Sequence, residues 1–308
     1  MVMALGLRDI EYFVAIADHG NLGRAAETLG LSQTALSKSL RRLESSMNTK
    51  LVRRTPRGVE LTSVGTAFLS HVRRIRLSLD DVAREVADLT QGRAGHLRVG
   101  CGPDMIDLFV QRACSELMRS APKVTLAVTT GINDVLFPAL RNGEYDLIVS
   151  GLPVSPYEGT VHEHLLDDEF LVYSAAGHPL ARRKRVTIDD LTKQQWVLSN
   201  AGAFARSRWI RTFEQHGLPP PKVAVETNSV ALMLHMVSAS EFLGFVPRSV
   251  VRSSISTDRV IELPIKHASW SRQAGVSYRR DAYLSPAALR LLELLKTMAR
   301  GITSQESA

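Results

Sequence analysis

Apolar residues recur at helical spacing in three short segments near the start of the chain. Most steps within each set place the side chains on one face of an α-helix. Gly20 and Gly30 separate the segments, and glycine readily adopts the left-handed backbone that ends a helix. The pattern predicts three short helices, whose apolar faces are Ile10, Phe13, Val14 and Ala17, then Ala25, Ala26 and Leu29, then Leu36, Leu40 and Leu43.

The third segment, Ser32 to Glu44, has a polar face of unusual composition. Ser32 precedes the first turn, where a side-chain oxygen caps a helix. The only carboxylate is Glu44, in the last turn, whereas a solvated helix normally mixes Glu with Lys. Hydroxyls, amides and cations contact base edges and phosphates, and this face carries Gln33, Thr34, Ser37, Lys38 and Arg41. Taken alone, the segment fits either a DNA-reading helix or an ordinary solvated helix.

Two neighbouring features favour the DNA-reading helix. A short helix precedes it across a glycine turn, which is the helix-turn-helix arrangement. After it, Leu51 to Leu61 (LVRRTPRGVEL) predicts a small β-hairpin, or wing, with Arg53, Arg54 and Arg57 available for phosphates or a minor groove. The wing by itself also fits a solvated basic loop. Helix and wing together predict a winged helix-turn-helix DNA-binding domain over residues 1–61.

Residues 7–66 resemble the N-terminal domain of the LysR-type transcriptional regulators. The resemblance rests on RDIEYFVAIADHGNLGRAAETLGLSQTALSKSLRRLE and RRTPRGVELTSVGTAFL, and it continues through the rest of the chain. Two positions depart from the family. Thr34 stands where members often have Pro, which affects base preference. Gly23 stands where many have Ser or Thr, which removes an expected helix cap worth about 0.5–1 kcal/mol. The resemblance implies promoter binding through the residues named above.

Residues 62–90 predict one long helix with a coiled-coil seam. Its apolar positions alternate in steps of four and three, a mean of 3.5 residues: Phe68, Val72, Ile75, Leu79, Val82, Val86 and Leu89. The seam requires a partner helix, because charged residues cover much of the remaining surface. A helix packed only within its own subunit is the alternative. In the family this linker pairs two subunits antiparallel, which implies a homodimer and further assembly into a homotetramer.

After a hinge at residues 91–95 the pattern changes to alternating strands and helices. Such alternation predicts parallel pairing and an α/β domain. The predicted strands are residues 96–100, 124–128, 145–150, 170–174, 196–198, 223–227 and 266–280, with a closing helix at 286–299. The segments APKVTLAV, LRNGEYDLIVSG, GHPLA, IDDL and FVPRSV resemble the family's effector-binding domain. That resemblance implies a two-lobed domain like the periplasmic binding proteins over residues 96–308, with lobe I at 96–164 and 266–300 and lobe II at 166–264.

The effector site is expected between the lobes, because ligands of such sheets gather at the carboxyl ends of the strands. Hydroxyls, amides and free backbone N–H groups there suit a small polar or anionic metabolite. The predicted walls are Gly102, Pro103, Asp104, Met105, Ile132, Asn133, Ser150, Gly151, Asn200, Ala201, Gly202, Asn228 and Ser229. Asp104 has two interpretations. Facing the cleft, it repels a carboxylate and favours a hydroxyl or amine; otherwise it interacts with the N-terminus of the following helix.

Composition agrees with this interpretation without deciding it. The 308 residues, 44% of them hydrophobic, suffice for more than one core. The formal charge is +7, of which +4 falls within residues 1–95, and a basic balance is compatible with nucleic acid. No signal peptide or membrane-spanning run is evident in the sequence, and we expect a cytoplasmic protein with no membrane partner.

Other chemistry is less well supported. Cys101 and Cys114 fit buried, inert thiols better than a redox switch. His162 and His164 lack a third ligand at metal-binding spacing, and no phosphate-loop, dinucleotide or nucleophile motif occurs. We therefore expect no cofactor, no metal and no enzymatic activity. The rival hypothesis is a solute-binding or enzymatic α/β module whose N-terminal helices serve only for oligomerisation.

Overall fold

The computed structural model divides the chain into two compact units. It describes residues 6–56, 58–91, 95–253, 259–265 and 269–306, excluding the side chains of 89–91, 253 and 303–306. The N-terminal unit extends to Ala83 and the C-terminal unit begins at Arg84. This division lies within the long helix, whereas the sequence assigns residues 62–90 to a segment of their own. The domain boundaries at residues 61, 90 and 95 therefore remain predictions. Residues 92–94 of the hinge lie outside the described residues.

The N-terminal unit contains the three predicted helices, the wing and the start of the long helix. Gly20 ends the first helix in the left-handed conformation, with φ 59°, and Ser32 caps the third through a hydrogen bond from the Ala35 N–H. These features confirm the predicted boundaries. The elements are α1 (Leu7–His19), α2 (Leu22–Thr28), α3 (Gln33–Ser46), β1 (Val52–Thr55), β2 (Gly58–Leu61) and α4 (Ser63–Gln91).

The expected loss of a helix cap at Gly23 is wrong. Asn21 is the N-cap of α2, and its side-chain oxygen accepts hydrogen bonds from the N–H groups of Gly23 and Arg24 at 2.8 and 3.2 Å. The helix begins one residue before Gly23, so a side chain at position 23 is not required for capping. The family pattern places the cap at position 23, whereas in this chain the side chain of Asn21 provides it.

The first turns of α4 belong to the N-terminal core. Leu69 and Val72 are buried there, and the ring of Phe68 lies 5.3 Å from that of Phe13. Gly65 allows this packing, since a Cβ at that position would collide with the Leu51 carbonyl oxygen. The helix therefore approaches the wing closely.

The predicted seam requires a correction at its N-terminal end. Val72 is only 1% exposed inside its own subunit, so it offers no surface to a partner helix, and Phe68 packs in the same core. Farther along, Ile75, Leu79 and Val82 are 51%, 51% and 57% exposed. Val86 is also about half exposed, and the side chain of Leu89 lies outside the described residues. The exposed stripe thus begins at Ile75.

The C-terminal unit is α/β, as predicted. A π-helical turn at Ile106–Val110 joins α5 to α6, and Thr187 caps α8 in a capping box with Asp190. The elements are β3 (His96–Cys101), α5 (Pro103–Met105), α6 (Gln111–Ser120), β4 (Thr125–Thr130), α7 (Asn133–Arg141), β5 (Leu147–Gly151), β6 (Thr160–Ala175), a 3₁₀ turn (Pro179–Arg182), α8 (Ile188–Leu191), β7 (Gln195–Leu198), α9 (Phe204–Gln215), β8 (Lys222–Glu226), α10 (Val230–Ala239), β9 (Leu243–Pro247), α11 (Arg248–Ser253), β10 (Val260–Glu262), β11 (Trp270–Arg279) and α12 (Pro286–Glu306).

Two long antiparallel strands, β6 and β11, join two parallel halves of this sheet. The strand order is β4-β3-β5-β11-β6-β9-β7-β8, and β10 pairs with β6. β3 runs parallel to β4 and β5, while β7 runs parallel to β8 and β9. One core lies around β3, β5, α6 and α12, and another lies around Trp196, Trp209 and Phe213. The carboxyl ends of both parallel halves border one cleft.

The strand predicted at residues 170–174 is only the end of β6, which starts at Thr160. β6 therefore passes through the predicted boundary between the lobes near residue 165. The lobe bounds stay a prediction, and part of the predicted strand at 266–280 lies outside the described residues. Among the described helices, none combines the length and apolar character needed to cross a membrane.

Candidate nucleic-acid interface and ligand cleft

The polar face of α3 is accessible on the N-terminal unit. Leu36, Leu40 and Leu43 are buried in the core of the unit. The predicted DNA-binding side chains lie on the opposite side: Gln33, Thr34, Lys38 and Arg41 are exposed and Ser37 is half-buried, with the exposed cap residue Ser32 ahead of them. This arrangement presents amide, hydroxyl and cationic groups on one helix face.

Glu44, the only carboxylate of α3, has a structural role that the sequence did not reveal. Its side chain is buried, and one oxygen accepts hydrogen bonds from the backbone N–H groups of Leu51 and Val52 at 3.0 and 3.4 Å. The other oxygen lies 2.6 Å from the Lys50 ammonium. Glu44 thus fixes the start of the wing against the end of α3.

Asp9 holds the other side of α3 onto α1. Its buried carboxylate accepts hydrogen bonds from Ser39 and from the guanidinium of Arg42, whose Nε lies 2.8 Å away. The bond from Arg42, opposed by burial, lowers the pKa of Asp9. Arg42 is therefore paired with a carboxylate of α1, whereas the neighbouring Arg41 is exposed on the polar face of α3.

The wing is the predicted hairpin, and its two described arginines differ in their surroundings. Arg53 pairs with Glu60 across the hairpin, with its Nε and Nη2 at 2.9 and 2.6 Å from the same carboxylate oxygen. Arg54 donates to the Ser37 hydroxyl of α3 at 3.2 Å. Arg57 lies outside the described residues. Arg54 is therefore connected directly to the polar face of α3, whereas the charge of Arg53 is neutralised by Glu60.

A cleft of about 840 Å³, its open mouth included, lies within the C-terminal unit where the parallel strands end. Eight of the predicted residues line it: Gly102, Pro103, Asp104, Ile132, Asn133, Ser150, Gly151 and Asn228. Asn133 donates to the Gly151 carbonyl oxygen at 2.8 Å, which connects the ends of two strands on this wall.

Five predicted residues do not line the cavity: Met105, Asn200, Ala201, Gly202 and Ser229. Met105 points into the lobe core and is fully buried. Ser229 instead caps α10 by accepting from the Leu232 N–H. Gly202 lies where the two walls approach, since a Cβ there would be 3.2 Å from a carboxylate oxygen of Asp134. A position at the end of a strand did not by itself show which residues line the cavity, which are buried in the core and which cap a helix.

Sequence reasoning missed the aromatic wall and the cation of the cleft. Phe170, Phe204 and Trp270 line it, with the Trp270 ring 5.2 Å from Phe170 and 5.3 Å from Phe204. Arg272 lies two residues from Trp270 on β11. Alternate residues of a strand share a face, so Arg272 lies on the same face of β11 as the buried Ala274 and Val276. A cation in line with these apolar residues was a sequence signal for a functional position.

Asp104 faces this cleft and forms an ion pair with Arg272. It stands in the first turn of α5, whose N-cap, Gly102, has no side-chain cap. The Asp104 carboxylate is therefore neutralised by a guanidinium. An unpaired Asp104 would repel a carboxylate ligand. Because Arg272 pairs with Asp104, that expectation from the sequence no longer applies.

The remaining candidates have local structural partners. Burial raises the pKa of the Cys101 and Cys114 thiols, which keeps both sulfurs in the unreactive thiol form. His162 lies in β6 between the hydroxyls of Thr160 and Ser277, at 2.9 and 2.7 Å. His164, on the same strand, lies 3.1 Å from Asp167. The part of the chain that the structure describes holds no group of three or more side chains suited to a metal ion.

Two family models of known proteins match this chain, one at its N-terminal end and one over most of the remainder. Residues 7–66 match the family model described as "Bacterial regulatory helix-turn-helix protein, lysR family". Residues 90–300 match the model described as "LysR substrate binding domain". The two matches cover the recognition helix with its wing and the α/β unit with its cleft.

Individual relatives extend over nearly the whole chain. The HTH-type transcriptional regulator GbpR of Azospirillum brasilense is 31% identical over 297 residues, 95% of this chain and 86% of that protein. CbbR of Rhodospirillum rubrum is 28% identical over 96% of this chain and 97% of its own. Among solved structures, a full-length OxyR variant of Pseudomonas aeruginosa has a TM-score of 0.61 at 23% identity, covering 96% of this chain and 95% of its own. Full-length CbnR complexed with its target DNA has a TM-score of 0.58 at 21% identity, covering 96% and 100%.

Proposed function

The chain belongs to the LysR family of bacterial helix-turn-helix transcriptional regulators, and from that membership we propose how its parts divide the work. The winged helix-turn-helix binds promoter DNA, α4 pairs two subunits, and the cleft of the C-terminal unit binds a small polar or anionic effector. Function as a regulator requires access to chromosomal DNA, so we place the protein in the bacterial cytoplasm. We assign it no catalytic step.

The observation that carries DNA binding is the composition of the exposed face of α3. Lys38 and Arg41 project from the same face as Gln33 and Thr34, and the helix has no carboxylate on that face because Glu44 is buried. Arg54 extends this surface from the wing through its contact with Ser37. Cations supply affinity for phosphates, while amide and hydroxyl groups distinguish bases.

The test is salt-dependent binding of the full-length protein to a labelled duplex from the region upstream of its own gene. Fluorescence anisotropy between about 50 and 200 mM salt gives the affinity and its salt slope. Replacing Lys38 and Arg41 together with alanine should weaken binding and lower the slope by about two. The matched control, Lys184→Ala with Arg185→Ala, removes two exposed cations from the C-terminal unit and should leave both unchanged. Wild-type protein that binds neither this duplex nor an unrelated one at low salt would contradict the proposal.

Dimerisation through α4 is supported by the exposed stripe of Ile75, Leu79 and Val82. Half-exposed aliphatic side chains in a row on a long helix gain free energy by burial against a second copy. A homodimer presents two copies of α3 to paired half-sites on DNA. We extend the proposal to a homotetramer, in keeping with the expectation from the sequence.

Effector control is supported by the mixed lining of the cleft. Asn133, Ser150 and Asn228 supply polar groups within a largely apolar cavity, as small-molecule sites commonly do. A ligand that prefers one arrangement of the assembly shifts the population toward it and thereby changes DNA binding. None of the described residues lining the cleft is a histidine or cysteine, and the lining carboxylate, Asp104, is paired with Arg272. Ligand binding therefore explains this lining better than acid–base or thiol catalysis does.

A further inference from the structure

Arg272 is a buried cation of the cleft whose hydrogen-bonding capacity is incompletely used. Its side chain is 10% exposed, and its guanidinium carbon lies 4.6 Å from the centre of the Phe170 ring. Nη2 interacts with Asp104 and, at 3.5 Å, with Asp168. Nε is buried without an acceptor, and no hydrogen bond joins Nη1 to any residue that the structure describes. A guanidinium carries five N–H donors, so the group retains capacity for an acceptor in the cavity.

The two carboxylates beside Arg272 are held very differently. Asp168 is 2% exposed and accepts from the Ser249 hydroxyl at 2.6 Å and from the backbone N–H groups of Glu169 and Ser249 at 2.9 and 3.3 Å. Asp104 lies on the cavity wall, and within the described chain its hydrogen bond is to Arg272. Asp168 is therefore a fixed partner, whereas Asp104 can be replaced by another anion without breaking a larger network.

The space beside the guanidinium fits a carboxylate joined to a flat apolar group. Gly151 leaves room on the Nη1 side, where a Cβ would lie 3.3 Å from that nitrogen. Nη1 and Nη2 together can donate to both oxygens of one carboxylate, an arrangement that combines charge with fixed geometry. The rings of Phe170, Trp270 and the half-exposed Phe204 form the adjoining wall, where an aromatic ring can stack.

We propose that Arg272 anchors the carboxylate of an aromatic acid effector, and that Asp104 occupies the guanidinium until the ligand displaces it. The inference rests on the proposed function only in taking the cleft as the effector site. Exchange of one carboxylate for another keeps the guanidinium paired, and Asp168 remains its fixed second partner. An amine bound to Asp104 is the competing outcome.

Isothermal titration of the full-length protein tests this with three probes that share a ring: benzoate, benzylamine and benzyl alcohol. Wild-type protein should bind benzoate in preference to the other two. Asp104→Asn removes the competing charge while keeping the side-chain shape, and should strengthen benzoate binding by about tenfold. Arg272→Gln should abolish benzoate binding, and Arg272→Lys should restore it only in part, because an ammonium lacks the planar pair of donors.

The matched control is Arg119→Gln, which removes an exposed guanidinium paired with Glu116 on α6 and should not alter benzoate binding. Preference for benzylamine by wild-type protein would overturn the inference, as would unchanged or weaker benzoate binding by Asp104→Asn. Failure of both wild type and Asp104→Asn to bind benzoate would also overturn it. These readouts do not depend on how stably Arg272→Gln folds. Salt-dependent DNA binding of wild-type protein is measured separately, so the inference can fail while the proposed function stands.

Discussion

At the residue scale, Asp146 shows how a buried carboxylate can organise the C-terminal unit. It accepts from the Arg98 backbone N–H at 2.9 Å, from Arg98 Nη2 at 2.7 Å and from Arg84 Nη1 at 2.5 Å. Burial alone would raise the pKa of Asp146, but the hydrogen bonds from Arg98 and Arg84 outweigh it, and the pKa lies below its ordinary value. The folded state therefore binds the Asp146 proton more weakly than the unfolded state does.

Asp146→Asn should destabilise the protein by about 3 kcal/mol at neutral pH, because two arginines lose a buried anionic partner. The wild-type contribution is fully present above the unfolded pKa of about 3.9 and disappears as the pH falls through the lower folded pKa. The difference in melting temperature between wild type and variant should therefore shrink below about pH 4. Thermal unfolding followed by circular dichroism from neutral to acidic pH measures it. Asp281→Asn, at an exposed carboxylate, is the control and should show no such convergence; a constant gap for Asp146→Asn would contradict the assignment.

Pairings between distant residues were the part of the candidate sites that the sequence could not predict. Asp9 meets Arg42 across 33 residues, and Asp104 meets Arg272 across 168. Periodicity reports which face a side chain occupies within its own element, but it carries no information about the element packed opposite. Asp104 was therefore recognised as informative, while the cation that neutralises it was not.

At the scale of elements, periodicity predicted most helices and strands and failed where polar contacts replace an apolar face. α3 and the wing agree with the pattern because each has one buried face and one solvent face. The first half of β6 was missed because its sequence is rich in charge, as at Glu163. That carboxylate accepts from the Tyr278 hydroxyl at 2.7 Å and lies 2.8 Å from the Lys296 ammonium. Such a strand is stabilised by partners that alternation does not reveal.

The wing provides a prediction at this scale, since Glu60 holds the Arg53 guanidinium and offsets its charge. Glu60→Gln should release Arg53 for phosphate, tighten binding to duplex DNA at low salt and raise the salt slope by about one. Anisotropy titrations at several salt concentrations measure both quantities. Glu27→Gln removes another exposed carboxylate, from α2, and controls for net charge. Equal effects of the two variants would show that charge, rather than release of Arg53, is responsible.

At the scale of the whole molecule, two kinds of apolar residue share one helix. Leu69 and Val72 fold the N-terminal unit, whereas Ile75, Leu79 and Val82 remain exposed in a single chain. The 3.5-residue repeat predicted one continuous seam, because the repeat alone does not show which of its residues are buried within their own subunit. In the proposed dimer, assembly and DNA binding depend on the second group, while folding depends on the first.

Leu79→Glu should therefore separate assembly from folding. A carboxylate in the centre of the exposed stripe opposes burial against a second copy, so dimers should dissociate at concentrations where wild-type protein remains dimeric. Leu79 is already half exposed within its own chain, so circular dichroism should retain the wild-type helix content. Sedimentation velocity measures the dissociation, and anisotropy should show weaker DNA binding because paired half-sites lose one of two recognition helices. Ser70→Glu places the same charge on an exposed position of α4 away from the stripe and should remain dimeric. A dimeric Leu79→Glu protein would place the subunit interface elsewhere on the chain.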